Sequence, residues 1–194
     1  ADDFVVDESW LLDNIFIPGA GFDGFTSLAN ARGLTWQIFK DVNGFPAGDP
    51  QSDSQDAMWT LNLKPDDPGV TLTMGKNNTI SSVMLTLPSP LELPVGRYWL
   101  VFFPTTDYST DGMFGLLPSD TLNGEVAKFI NPSGAWDLGE DWQDWDVINH
   151  GEHDFAFRLT GMRNTRWIQT SSSPAIRVDS VLAAYDGKIW NITG

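Results

Sequence analysis

The chain is 194 residues long, with 26 Asp and Glu against 11 Lys and Arg, a formal net charge of −15, and no Cys. That length suits one ordinary domain whose core needs no cross-links, and the lack of thiols excludes disulfides, thiolate catalysis and Cys-based zinc or iron–sulfur sites. The acidic excess repels phosphate backbones and anionic headgroups, so nucleic acid is not an expected partner; no apolar run approaches the roughly 20 residues that cross a bilayer, so neither is membrane insertion.

Eighteen Gly, 12 Pro, 9 Trp and 12 Phe predict many short strands and tight turns, because Gly and Pro punctuate the chain while aromatic side chains suit a half-buried pleated surface. The opening Ala1-Asp2-Asp3-Phe4 reads as a chain left by signal-peptide removal, hence an extracellular or cell-surface protein. Strand-like residues begin at Asp3 to Val6. Leu34, Trp36 and Ile38 alternate with Thr35 and Gln37, and Trp59, Leu61 and Leu63 with Thr60 and Asn62. The same period of two recurs at Val70, Leu72 and Met74, at Val83, Leu85 and Leu87, and at Phe155, Phe157 and Leu159, each predicting a half-buried strand. Tyr98 to Phe103 is almost continuously apolar and predicts a mid-sheet strand covered on both faces.

Turn signals separate these runs at Pro18-Gly19, Asn43-Gly44, Pro68-Gly69, Val95-Gly96, Asp111-Gly112, Asn123-Gly124 and Asp186-Gly187, the last joining Val181–Tyr185 to Lys188–Ile192 as a hairpin. With no helical spacing between strands, the predicted fold is all-β, an antiparallel two-sheet β-sandwich of jelly-roll-like form with strand-forming ends. Phe45 to Ala57 is polar and predicted to be a solvated loop. Gly134 to Asp154 is the most unusual segment, with Trp136, Trp142 and Trp145 set among acids.

The segments Asp2-Asp3-Phe4-Val5-Val6, Ile38-Phe39 followed by Gly44-Phe45-Pro46-Ala47-Gly48, Leu93-Pro94-Val95-Gly96-Arg97-Tyr98-Trp99-Leu100 and Asp154-Phe155-Ala156-Phe157-Arg158-Leu159-Thr160-Gly161 together resemble a loosely defined group of β-sandwich domains in exported bacterial proteins. The resemblance covers residues 1–161 and implies a jelly-roll-like fold at the cell surface, with no catalytic motif to carry over. Residues 162–194 depart from it. They carry Trp167, Ile168, Ile176 and Val178 ahead of the predicted hairpin, an apolar set that must pack on its own sandwich or on a neighbouring subunit.

Three kinds of chemistry are open to these residues. Flat indoles stack on sugar rings, so Trp136, Trp142 and Trp145 form a candidate carbohydrate platform; the alternative is that they cap the core. Asp141, Asp144, Asp146, Glu152 and Asp154 offer oxygen ligands suited to calcium, although no cofactor is required. His150 and His153 flank Gly151 in a loop and are read as ordinary loop histidines rather than zinc ligands. Paired carboxylates about 5 to 9 Å apart would serve a glycoside hydrolase, but so acidic a chain always offers pairs. Asn77 and Asn191 head glycosylation sequons.

The first functional reading is therefore a non-catalytic extracellular structural protein, a subunit of a filament, sheath or surface layer that binds copies of itself. Strand addition would use Asp3, Phe4, Val5 and Val6 or the residues after Gly161. Carbohydrate binding comes second, with a polysaccharide as partner, and glycoside hydrolysis third.

Overall fold

A computed structural model describes residues 1–50, 56–74, 80–119, 121–132, 140–149, 153–164, 180–185 and 188–193. The chain is all-β with antiparallel sheets and divides into two compact units, Ala1–Asn164 and Thr165–Gly194. The first closes at Asn164 rather than Gly161 because its last strand runs to Arg163.

Strands are numbered in chain order. One five-stranded sheet contains β1 (Asp2–Val6), β3 (Gly33–Val42), β4 (Phe45–Pro46), β5 (Trp59–Leu63) and β8 (Gly96–Thr105), in the order β1-β8-β3-β4 with β5 also on β3. The other contains β2 (Trp10–Phe22), β6 (Val70–Met74), β7 (Ile80–Leu93), β9 (Met113–Leu116) and β14 (Arg158–Arg163), in the order β14-β2-β7-β6 with β9 also on β2. Two short ribbons, β10 (Pro118–Ser119) with β13 (Asp154–Phe155) and β11 (Lys128–Phe129) with β12 (Gln143–Asp144), complete this unit with two short helices, α1 (Tyr108–Asp111) and α2 (Trp145–Asn149).

Both five-stranded sheets feed one core. Ile15 and Ile17 of β2, Val83 and Leu85 of β7, Leu34, Trp36 and Ile38 of β3, and Tyr98, Leu100 and Phe102 of β8 are all buried in it, as alternation demands when one face of each strand is dry. Opposite β14, Asp13 is an extra residue in β2, between Leu12↔Gly161 and Asn14↔Thr160, whereas opposite β7 the surplus lies in the partner, with Leu87 to Pro90 standing against Asp13. This bulge lets Leu12 and Ile15 enter the core although their spacing breaks the period. Strand β8 lies between β1 and β3, and its other face buries Trp99 and Val101 against Phe39 under Phe103, Ala57 and Trp142. It is the doubly covered central strand that its apolar run predicts.

Several local expectations fail for identifiable reasons. Pro18-Gly19 is no turn but lies inside β2; a Cβ on Gly19 would sit 2.1 Å from the Phe114 ring and 2.6 Å from the Gly115 carbonyl, so glycine is needed there for the close passage of β9. Asn43-Gly44, with φ of 55° and 83°, does turn β3 into β4, and the predicted loop from Phe45 begins as that strand. The Phe155, Phe157, Leu159 run splits between β13 and β14, because the two pair with different partners, β10 and β2. The acidic segment is not all loop: it forms β12 and α2.

In the second unit, β15 (Ser180–Tyr185) pairs with β16 (Lys188–Thr193) as the sequence predicts, with Val181 opposite Ile192 and Ala183 opposite Trp190.

Candidate binding cleft

The strand ends of the first unit surround a cleft of about 770 Å³. Strand β2 contributes Ala20 and Phe22, β8 contributes Val101 to Phe103 with Pro104, and β9 contributes Met113 to Leu116. Much of the remaining wall comes from Lys128, Phe129, Ile130, Asn131, Trp142, Trp145 and Phe155, with the Ala1 terminus beside them. Indole and phenyl rings hold that wall together. Trp145 lies 5.1 Å from the Phe155 ring and 5.9 Å from the Phe129 ring, both tilted, and its backbone N–H donates to the Ala127 carbonyl at 2.7 Å. Trp142 donates its indole N–H to the Gly48 carbonyl at 2.8 Å. The Trp145 Nε1 is buried without a protein hydrogen-bond partner.

Little charge reaches the cleft. Among its described lining residues there is no Asp or Glu, and Lys128 is the one charged side chain. Lys128 is only 4% exposed. Its ammonium pairs with Asp144 and lies 4.5 Å from the centre of the Phe45 ring and 5.6 Å from that of Trp99, so ring faces and a carboxylate replace the water it lost.

Behind the same wall lie three aspartates, Asp2, Asp3 and Asp154, only 4%, 5% and 3% exposed. Each accepts a backbone N–H from another segment: Asp2 Oδ2 from Phe155 at 2.9 Å, Asp3 Oδ1 from Glu125 at 2.9 Å, and Asp154 Oδ2 from Asn123 at 2.6 Å. Arg97 reaches Asp3 at 3.3 Å and Glu125 at 2.9 Å. Burial pushes the Asp2 carboxyl up to about 7, aided by the charge of Asp154 and opposed by the Phe155 and Asp3 amides. Burial likewise raises Asp3, against the Glu125 amide and Arg97, and raises Asp154, against the Asn123 amide and His153. In each case loss of water outweighs the donors supplied.

The residues singled out from sequence scatter. Trp142 and Trp145 do meet in the cleft, whereas Trp136 lies outside the described residues, as do Glu152, His150, Asn77, Trp167, Ile168, Ile176 and Val178. Of the five proposed calcium ligands four are described: Asp141 is exposed, Asp144 pairs with Lys128, Asp146 lies 3.8 Å from His153 Nδ1, and Asp154 accepts the Asn123 amide through Oδ2 while its Oδ1 is buried without a hydrogen-bond partner. Among the described residues no three acidic or imidazole side chains are grouped to hold a metal ion.

The N-terminal segment read as an assembly strand lies at one end of its sheet. Strand β1 already pairs with β8 of its own chain from Asp2↔Leu100 to Val6↔Gly96. Asp3 and Val6 are buried, Phe4 packs on Tyr98 and Phe157, and Val5 alone is well exposed, at 62%. Ala1 and Lys128 exchange backbone hydrogen bonds at 2.6 and 2.8 Å, which occupies the outer edge of the sheet where β1 begins. Asn191 stands in β16 opposite Leu182.

Sequence reasoning missed Asp2, Lys128, Phe129 and Phe155 as site residues. Lys128 did carry a weak signal, a lone cation within Val126-Ala127-Lys128-Phe129-Ile130, although lysine is seldom buried unless paired and the sequence does not show its partner Asp144. No family model, curated protein or solved structure matches this chain.

Proposed function

We propose that this chain is a non-catalytic extracellular binding domain whose cleft takes the apolar ring faces of a neutral saccharide chain. The carrying observation is that Trp142 and the stacked rings of Trp145, Phe129 and Phe155 line one cleft of about 770 Å³ with no described carboxylate in its lining. Pyranose C–H faces stack on aromatic rings, and a few polar groups suffice to orient a ligand held that way. Among the described lining residues an anionic polymer finds little free positive charge, because Lys128 is bound to Asp144 and burial lowers the Ala1 amine to about 5. The lack of acids in the lining also disfavours hydrolysis, which needs two carboxylates flanking the bond. Titration with neutral and uronic-acid oligosaccharides, followed by tryptophan fluorescence, tests this. Binding of a neutral oligomer, weakened at least tenfold by Trp142→Ala, supports the reading; a silent neutral panel defeats it.

A second reading, assembly with copies of itself into a filament, sheath or surface layer, is favoured by the hairpin. The β15–β16 register places Val181 opposite Ile192, Ala183 opposite Trp190 and Tyr185 opposite Lys188. A two-stranded ribbon is at best marginally stable alone in water and gains from a third strand or other cover. Light scattering on the full chain and on a chain ending at Asn164 distinguishes the two: higher mass in the full chain alone supports assembly, and equal monomers refute it.

A further inference from the structure

The end strands of the two sheets are not equally protected. Strand β14 carries Arg158 and Arg163 and a register shift between Thr160 and Gly161, and the outer edge of β1 is taken where it begins by the Ala1–Lys128 bonds. Charges, bulges and cover of this kind keep an edge from pairing with another chain. Strand β6 has none of them. Its residues Val70-Thr71-Leu72-Thr73-Met74 include no charge, proline or glycine, its ladder with β7 runs without a register shift, and among the described residues β7 is its one strand partner.

The direction of its backbone groups follows from the pair before it. Thr86 N–H donates to the Gly69 carbonyl at 2.8 Å, so by alternation Thr71 and Thr73 bond to β7 while Val70, Leu72 and Met74 turn their N–H and C=O groups outward. Val70 donates to the Asp67 carbonyl at 2.9 Å, which leaves the Leu72 and Met74 amides on the open edge. Val70 and Leu72 pack on the core only half-buried, whereas Val83 and Leu85 across the ladder are fully buried. Thr71, Thr73 and Met74 are exposed.

We propose that β6 pairs antiparallel with β6 of a second copy, about a two-fold axis at Leu72, so that one sheet runs through both chains. The strand is its own complement in that register. Leu72 meets the partner's Leu72, Val70 meets the partner's Met74 on the core side, and Thr71 meets the partner's Thr73 on the outer side. The outward amides of Leu72 and Met74 donate to the partner's Leu72 and Val70 carbonyls. Apolar and Thr–Thr cross-strand pairs are favourable, and antiparallel self-pairing is what a two-fold axis generates. Two chains of net charge −15 meet with least repulsion along a strand that bears no charge. Strand β5 is uncharged too, but its Thr60 hydroxyl is already buried, where the hydroxyl face of β6 is open. A five-residue edge is smaller than a permanent interface, so the dimer is a transient one. This contact rests on the self-association reading but uses neither the hairpin nor the cleft.

Sedimentation equilibrium of the full chain between about 10 μM and 1 mM tests it. The wild type is expected to pass reversibly from monomer to dimer. Thr71→Lys combined with Thr73→Lys places like charges opposite each other, as does Thr71→Glu combined with Thr73→Glu. Each double variant is expected to weaken the dimer about tenfold or more, and mixing the two to restore it, because every Lys then faces a Glu. Amide exchange of the wild type, which needs no variant, is expected to slow at Leu72 and Met74 as concentration rises, with Thr71 and Thr73 unchanged. A wild type that stays monomeric throughout overturns the proposal. Association that both double variants retain also overturns it, and leaves the self-association reading to the hairpin. Weakened variants that mixing does not restore, or Leu72 and Met74 exchange that ignores concentration, overturn the register.

Discussion

The backbone N–H of Phe155 donates to Asp2 Oδ2 at 2.9 Å across 153 positions of sequence. Through this bond a carboxylate at the start of the chain supports an aromatic wall built near the end of the first unit. The buried acids and the aromatic wall of the cleft are therefore two sides of one structural feature, and its response to pH and substitution can be measured.

The first expectation concerns stability. Asp2, Asp3 and Asp154 all bind protons more tightly when folded than in a solvated chain. Their contribution is thus complete below the ordinary carboxylate range and is lost as pH rises through the folded values, about 7 for Asp2. The Ala1 amine, lowered by burial from 8.0 to about 5, adds the opposite slope between those values, so the check is a difference: the urea midpoint of Asp2→Asn is expected to gain on that of the wild type as pH rises from 5 to 8.

Lys128 and Asp144 respond unequally to substitution. Asp144→Ala leaves a buried ammonium with only ring faces for company and is expected to cost about 2 to 4 kcal/mol. Lys128→Met fills the same space without a charge and frees a half-exposed carboxylate to solvent, so the cost is expected within about 1 kcal/mol. Chemical denaturation of both variants checks the order; equal losses would remove the assigned asymmetry.

Trp145 carries an indole N–H that burial leaves without a protein partner. Trp145→Phe retains much of the stacking and deletes that group, so a change of no more than about 1 kcal/mol is expected. Trp145→Ala empties space between Phe129 and Phe155 and is expected to cost about 2 to 4 kcal/mol. Thermal melts separate the two.

Gly19→Ala is expected to cost about 1 to 3 kcal/mol, because its new methyl meets the Phe114 ring and the Gly115 carbonyl. The same substitution at Gly24, where a Cβ meets nothing within 4 Å but φ is +91°, costs only backbone strain, expected near 1 kcal/mol. Comparison of the two variants by urea titration tests whether crowding by β9 explains the glycine.

What the amino-acid order decides alone is the set of strands whose period is local. Leu34 to Ile38, Trp59 to Leu63, Val70 to Met74 and Val83 to Leu87 alternate because neighbouring side chains on a pleat point to opposite faces, and that geometry needs no partner to be read. The doubly apolar run of β8 and the Val181 to Ile192 hairpin were legible for the same reason. Where β1 pairs, why Pro18-Gly19 stays extended, how Lys128 comes to meet Asp144, and which acids lose water were decided only in three dimensions. Each depends on segments far apart in the chain, and an aspartate has the same local signature whether it ends in solvent or beneath a wall. Burial is a property of the packed surroundings, and it alone separated Asp141 at the surface from Asp2 in the interior.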